Sequence, residues 1–273
     1  MHKRTLKRII IALVFLLILS AIVFLVYSLS RPAPTCFDKI RNQGEEDIDC
    51  GGPCSSCEFL GVKNIEVLSV KSVPTQNNFY DLMAQIKNPN QNYGSGKVPF
   101  AFKVYDSNGN LIVQFSGQTY ILPNQTKYII KSKAEISRSF NKAEVSFGEI
   151  KWEKLIDYQA PDLVIQQKEY QLLDYQGSGF SQAKGALVNK SDFDFNQVDV
   201  DILLFDSSGR LVGLNTTAIN TLLSGQKRDF VATWFNEIGG QITVVEMEAE
   251  TNIFDQDNYL PTGQSIPERF QQY

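Results

Sequence analysis

From Ile9 to Leu29 the chain carries no charge, and apart from Ser20, Tyr27 and Ser28 every residue is apolar. About twenty such residues, rising about 1.5 Å each, cross a hydrocarbon core of about 30 Å as a helix. The pattern then changes period. Val98, Phe100, Phe102 and Val104 alternate with Pro99, Ala101 and Lys103, and Val198, Val200, Ile202 and Leu204 alternate around Asp199 and Asp201. Alternation with a period of two places each apolar set on one face of a strand. Helical periodicity is missing beyond the first apolar run, so the expectation is a mainly β chain behind one transmembrane α-helix.

Landmarks recur in order. Phe102-Lys-Val-Tyr-Asp106 and Ile202-Leu-Leu-Phe-Asp206 lie 100 residues apart, and each runs into an Asp-x-x-Gly turn, Asp106 to Gly109 and Asp206 to Gly209. Asn88 and Asn189 follow apolar stretches upstream, and Leu122-Pro-Asn-Gln125 and Leu223-Ser-Gly-Gln226 follow downstream. This predicts a tandem duplication: two antiparallel β-sandwiches whose inward residues include Phe102, Val104, Ile202 and Leu204. Tyr105 and Phe205 add a second apolar face at the strand end, suited to a corner or a neighbouring domain; an exposed aromatic platform is the alternative. Asp199 and Asp201 share one face, which reads as a solvated one.

The boundaries follow: a basic cytoplasmic segment at 1–8, the transmembrane helix at 9–30, a neck at 31–58, sandwiches at 59–153 and 161–256, and a flexible tail at 257–273. The short link between the sandwiches lacks Gly and Ser, so they should be stiffly joined. Lys3, Arg4, Lys7 and Arg8 precede the helix and Arg31 alone follows closely, which keeps the N-terminus inside and sends the rest out. A cleaved secretory signal is the alternative, with Ser28-Leu29-Ser30 as a cleavage site, although the apolar run exceeds the usual length.

Four of the 26 Lys and Arg precede the apolar run and all 30 Asp and Glu follow it, so the outer part carries about −8. That balance argues against nucleic acid as a partner. The single histidine is His2, which removes His-dependent triads and histidine metal sites from the outer part. Gly94-Ser-Gly96 and Gly177-Ser-Gly179 are too short for phosphate loops. Carboxylate-only chemistry, such as glycoside cleavage, survives.

All four cysteines, Cys36, Cys50, Cys54 and Cys57, fall in one segment with few apolar residues. Outside the cytoplasm this reads as two disulfides, with three pairings open. Asp38, Glu45, Asp47 and Asp49 are weak calcium candidates, set against a solvated acidic loop. Zinc lacks the usual pair of Cys-x-x-Cys elements, and Cys54-Ser-Ser-Cys57 lacks the strand-to-helix setting of a redox pair. Asn124, Asn189 and Asn215 head glycosylation sequons, which matter only in a host that uses them.

Two resemblances sharpen this. Cys36, Asp38, Asn42, Glu45, Asp49, Cys50, Gly51, Gly52, Cys54 and Cys57 resemble a small cysteine motif found beside the membrane or between domains in bacterial surface proteins, with Lys39 standing where that motif has glycine. Phe102 to Asp106, and Ile202 to Asp206 in a looser form, resemble the FxLYD family of extracellular domains. Lys87-Asn-Pro-Asn90 is also similar to the water-stress domains of late-embryogenesis proteins. Both families imply an immunoglobulin-like sandwich of about seven strands, with no catalytic residues. The function expected is a membrane-anchored, extracytoplasmic, non-enzymatic binding or scaffolding protein of the cell envelope, its partner another envelope protein or an extracellular polymer. The alternatives are a carboxylate-dependent glycan hydrolase or accessory subunit of an envelope enzyme, and a passive surface spacer. No cofactor is expected, calcium aside.

Overall fold

The structure, a computed structural model, describes residues 3–30, 35–54, 56–156, 159–173 and 179–258. The chain divides into two compact units, Met1–Gly61 and Val62–Tyr273. In the first, helix α1 spans Lys3–Ser30. Its segment Lys7–Val26 is long and apolar enough to cross a membrane, and none of it is buried within the protein. The rest of this unit is turns, one isolated bridge between Asp47 and Cys50, and a 3-10 turn at Cys57–Phe59.

The second unit holds two antiparallel β-sandwiches. The first comprises β1 (Glu66–Pro74), β2 (Phe79–Lys87), β3 (Tyr93–Tyr105), β4 (Leu111–Ile121), β5 (Thr126–Glu135), β6 (Lys142–Phe147) and the two-residue β7 (Glu153–Lys154). Its sheets run β1-β2-β5 and β4-β3-β6, with β7 pairing onto β3. The second comprises β8 (Leu163–Leu172), β9 (Ser181–Asn189), β10 (Phe195–Asp206), β11 (Leu211–Leu222), β12 (Lys227–Trp234) and β13 (Ile242–Glu250). Its sheets run β12-β9-β8 and β11-β10-β13, the same order strand for strand. Each copy therefore has six principal strands, one fewer than the family resemblance implies.

The duplication extends to register. Phe102 pairs with Phe115 and Ile202 with Asn215; Val104 pairs with Val113 and Leu204 with Gly213. Both ladders shift one step later, at Tyr105–Leu111 and Phe205–Leu211. Phe102, Val104, Ile202 and Leu204 are fully buried, each in the core of its own sandwich. Each core buries the alternate residues of two facing sheets, which is what period-two patterning demands.

A third apolar cluster joins the copies. Val73, Met83 and Tyr128 of the first sandwich pack with Leu203 and Leu214 of the second, and Phe205 lies against them. Phe205 thus faces the neighbouring domain. Phe254, beyond β13, returns to the first sandwich and lies on Gly94 and Gly96. A Cβ at Gly94 would fall 2.7 Å from the Ile121 carbonyl oxygen and 2.7 Å from the Phe254 ring. The two glycines thus serve as a flat seat for an aromatic ring. Gly94→Ala is expected to cost about 1–3 kcal/mol, as overpacking does, and to lower the melting temperature of the second unit; an unchanged value would exclude the seat.

Two edges differ from the sequence expectation. β7, at the start of the expected link, pairs with Tyr93 and Gly94 and so belongs to the first sandwich. Asn258, expected in the flexible tail, is buried: it accepts from Gln197 N at 2.7 Å and donates to Thr251 Oγ1 at 2.5 Å. The amide anchors the segment after β13 to β10 because a buried carboxamide must satisfy both of its polar ends. Residues 259–273 of the expected tail lie outside the described residues.

Candidate functional site

In the neck the cysteines pair as Cys36–Cys54 and Cys50–Cys57. Lys39, standing where the motif has glycine, takes φ +60°, the left-handed conformation glycine would favour. Its N–H points between both oxygens of Asp49, each at 3.0 Å. Asp38 accepts from Ile40 N at 2.9 Å and Asn42 Nδ2 at 2.8 Å, and the Asn42 amide chiefly holds its carboxyl below the usual range. Glu45, buried, accepts from Asn42 N and Asp49 N. Asp47 Oδ1 accepts from Ile48 N at 2.8 Å. The calcium candidates thus act as acceptors for turn N–H groups. Among the described residues, the one group of potential metal ligands with atoms within 4.8 Å of one another is Cys36, Glu45 and Cys54. Two of those atoms are sulfurs bonded to each other, which leaves a single carboxylate. Peptide mapping without reduction should recover Cys36–Cys54 and Cys50–Cys57 linked fragments; any other pairing would contradict the neck.

The repeated landmarks are architectural. Asn88 Nδ2 donates to the carbonyls of Tyr93 and Leu122, and its Oδ1 accepts from Asn90 N. Asn189 does the same with Phe193, Leu222 and Ser191 N. Gln125 and Gln226 accept from Leu122 N and Leu223 N, both at 2.9 Å. Because Asn189 is fully buried, its sequon is closed to glycosylation in the folded protein; Asn124 is exposed. Asp106 and Asp206 bind backbone N–H groups of their turns, and hydrogen bonds hold both carboxyls below the usual range, led by the Asn110 side chain for Asp106 and the Ser208 hydroxyl for Asp206.

The strongest concentration of unusual chemistry lies where the β4 and β5 edge of the first sandwich meets the outer face of the β11-β10-β13 sheet. A cleft of about 440 Å³ there is lined by Phe100, Thr119 and Tyr128 on one side and Asp199, Asp201, Thr217 and Glu250 on the other. Lys127 is 2% exposed, and its Nζ reaches Glu250 Oε1 at 2.6 Å while lying 3.8 Å from the centre of the Tyr120 ring. Gln125 Nε2 donates to Glu250 Oε2 at 3.4 Å, and Tyr128 Oη to Glu246 Oε2 at 3.4 Å. Asp199 accepts from Gln197 Nε2 at 2.7 Å. Asp201 was expected on a solvated face, yet it is 8% exposed. The first sandwich covers that face, drawn there by Leu203, which lies between the positions of Asp201 and Phe205 on the same side of β10.

Electrostatics follow from the burial. Loss of water, and after it the nearby Glu250, push Asp201 up to about 8 against the pull of Lys127. Burial also raises Glu250, with the Lys127 ammonium opposing it, and raises Glu248. Tyr128 is pushed up to about 12 by burial and by Glu248 and Glu246. A carboxyl holding its proton near neutrality beside an ion pair can donate a hydrogen bond, trade its proton for a cation, or serve as an acid. Sequence reasoning missed Lys127, Tyr128 and Glu250. The alternation Glu246-Met-Glu248-Ala-Glu250, an acidic stripe on one face of a strand, was the signal that could have found Glu250.

No family model matches the chain, and no curated protein matches it. Among solved structures, the N-terminal CBM22-1–CBM22-2 tandem domain of Xyn10C from Paenibacillus barcinonensis is 11% identical, covering 69% of this chain and 84% of that one, with a TM-score of 0.13.

Proposed function

We propose that the chain is a membrane-anchored binding protein of the cell envelope, with both sandwiches outside the cytoplasm and the cleft between them as its binding surface. The observation that carries the reading is the pair of disulfides in the segment after an apolar helix that nothing in the protein covers. Disulfides persist in oxidising compartments, and four cations precede the apolar run of the helix. The FxLYD-like kinship of the two domains belongs to the same proposal and rests on the shared Asp-x-x-Gly turn and register.

Fusion of a phosphatase active only outside the cytoplasm to the C-terminus should give an active enzyme, and a cytoplasmic fluorescent fusion should stay dark. The reverse pattern would end the anchoring proposal. For binding, the full chain in detergent should retain an envelope protein or a surface polymer, with retention lost when the cleft residue Tyr128 is changed to Ala. Retention by neither class would favour the passive spacer.

One feature favours the hydrolase alternative: burial and the nearby Glu250 push the Asp201 carboxyl up, as in the acid of a glycosidase pair. Against it, Glu250 is committed to Lys127. Glycan-cleaving activity abolished by Asp201→Asn would reverse this preference.

A further inference from the structure

The cleft holds more negative charge than the protein neutralises. Strand pairing sets Asp199 opposite Glu250 and Asp201 opposite Glu248, and like charges so placed repel. Lys127 answers Glu250, and Lys168, bonded to the Met247 carbonyl, lies near enough to Glu248 to attract it. Asp201 is left over. Asp201 is only 8% exposed, makes no hydrogen bond or ion pair with any described residue, and lines the open space of the cleft. A carboxyl with little access to water and no donor beside it is costly to ionise, and a group that brings N–H donors into the cleft lowers that cost.

We propose that this cleft receives an organic cation, a primary ammonium or guanidinium group, with Asp201 as its anionic partner and Tyr128 and Phe100 against its carbon chain. The inference rests on reading the chain as a binding protein and names the chemistry of the ligand. A single metal ion suits the site less well. Asp199, Asp201 and Glu250 do not form a group with ligand atoms within 4.8 Å of one another. An ammonium with three N–H donors, or a guanidinium with five, spans acceptors more widely spaced. The volume of about 440 Å³ lies in the range of small-molecule sites. A free diamine and a lysine or arginine side chain of a partner present the same chemistry.

Burial and the neighbouring carboxylates favour the protonated form of Asp201, so a proton and a cation compete for it. The groups facing Asp201 are Asp199 on its own strand, Glu248 and Glu250 on β13, and Lys127 and Tyr128 on β5. All but Lys127 favour retention of the proton or leave it in place. A cation must therefore displace it, and affinity should rise as pH goes from about 6 to about 8.

The test uses the full chain in detergent, titrated calorimetrically at about pH 8 with putrescine, with N-acetyl-lysine methylamide and with calcium chloride. Saturable binding of an amine is expected, with proton release at about pH 7, and about tenfold or greater weakening in Asp201→Asn. Asp229→Asn, on β12 of the second sandwich, should leave the affinity unchanged. Preference for putrescine points to a free polyamine, and preference for the lysine derivative to a partner's side chain; either supports the site. Amine binding indifferent to Asp201→Asn overturns the assignment, as does a response to calcium alone. Failure of both amines ends the proposal, while the binding-protein reading stands or falls separately on the fusion and retention experiments.

Discussion

Phe102→Ala should destabilise the first sandwich by about 3–5 kcal/mol, and Ile202→Ala the second by about 2–5 kcal/mol. Both side chains are fully buried between facing sheets, so truncation leaves a cavity lined by strands that ladder hydrogen bonds prevent from collapsing. The protein supplies its own reporters. Its two tryptophans fall one to each core, Trp152 in the first and Trp234 in the second. With Trp234→Phe as background, urea unfolding followed by fluorescence reads the first sandwich; with Trp152→Phe it reads the second. Phe102→Ala should lower the midpoint reported by Trp152 and move the Trp234 midpoint much less, because separate cores are nearly additive. Equal movement of both would show that the junction of Leu203 with Met83 and Tyr128 fuses the copies into one cooperative unit. No movement of either would refute the placement of Phe102.

The second large effect concerns pH. Asp201 keeps its proton in the folded protein up to about 8, whereas the unfolded chain releases it near 3.8. Between those values the native state binds the extra proton, so stability falls as pH rises from about 4 to about 8. Burial of Glu248 and Glu250 acts in the same direction. Asp201→Asn preserves the shape and removes the charge. It should raise stability at pH 8 by a few kcal/mol, on the order expected for a shift of several pKa units in a buried group, and flatten the profile above pH 5. Melting temperatures at half-unit pH intervals would show it. A variant that is less stable than the parent at pH 8, with the slope intact, would mean that Asp201 is ionised and paired.

Alternation along β3 and β10 was enough to identify the inward residues, because a period of two admits one assignment of faces once a single side is known to be apolar. It says nothing about what lies against the other face. Asp199 and Asp201 looked solvated for that reason. Leu203 held the missing information: it interrupts an acidic outward set with a large apolar residue at the position where the first copy has Lys103. Outward apolar residues in one copy of a duplication, absent from the other, mark the surface where the copies meet. The role of Asn88 and Asn189 was visible as a position but not as a reason, since their bonds join strands that sequence separation does not relate. Cysteine pairing was beyond reach because the three connectivities are equally compatible with loops this short. Lys127 shares the inward side of its strand with Ile129, and nothing in its neighbours announced that an acid from the other copy would meet it there.

The interleaved disulfides of the neck also determine how it carries load. Tension applied along the chain enters at Cys36, crosses to Cys54 and leaves through Cys57, so the residues between Cys36 and Cys54 lie outside the load-bearing path. The span from Cys36 to Cys54 cannot lengthen while oxidised. Reduction would release the 18-residue separation between those cysteines, about 60 Å of contour at full extension. A pulling experiment in reductant should therefore show one added lengthening step of about that size before either sandwich opens, giving the neck two lengths set by redox state.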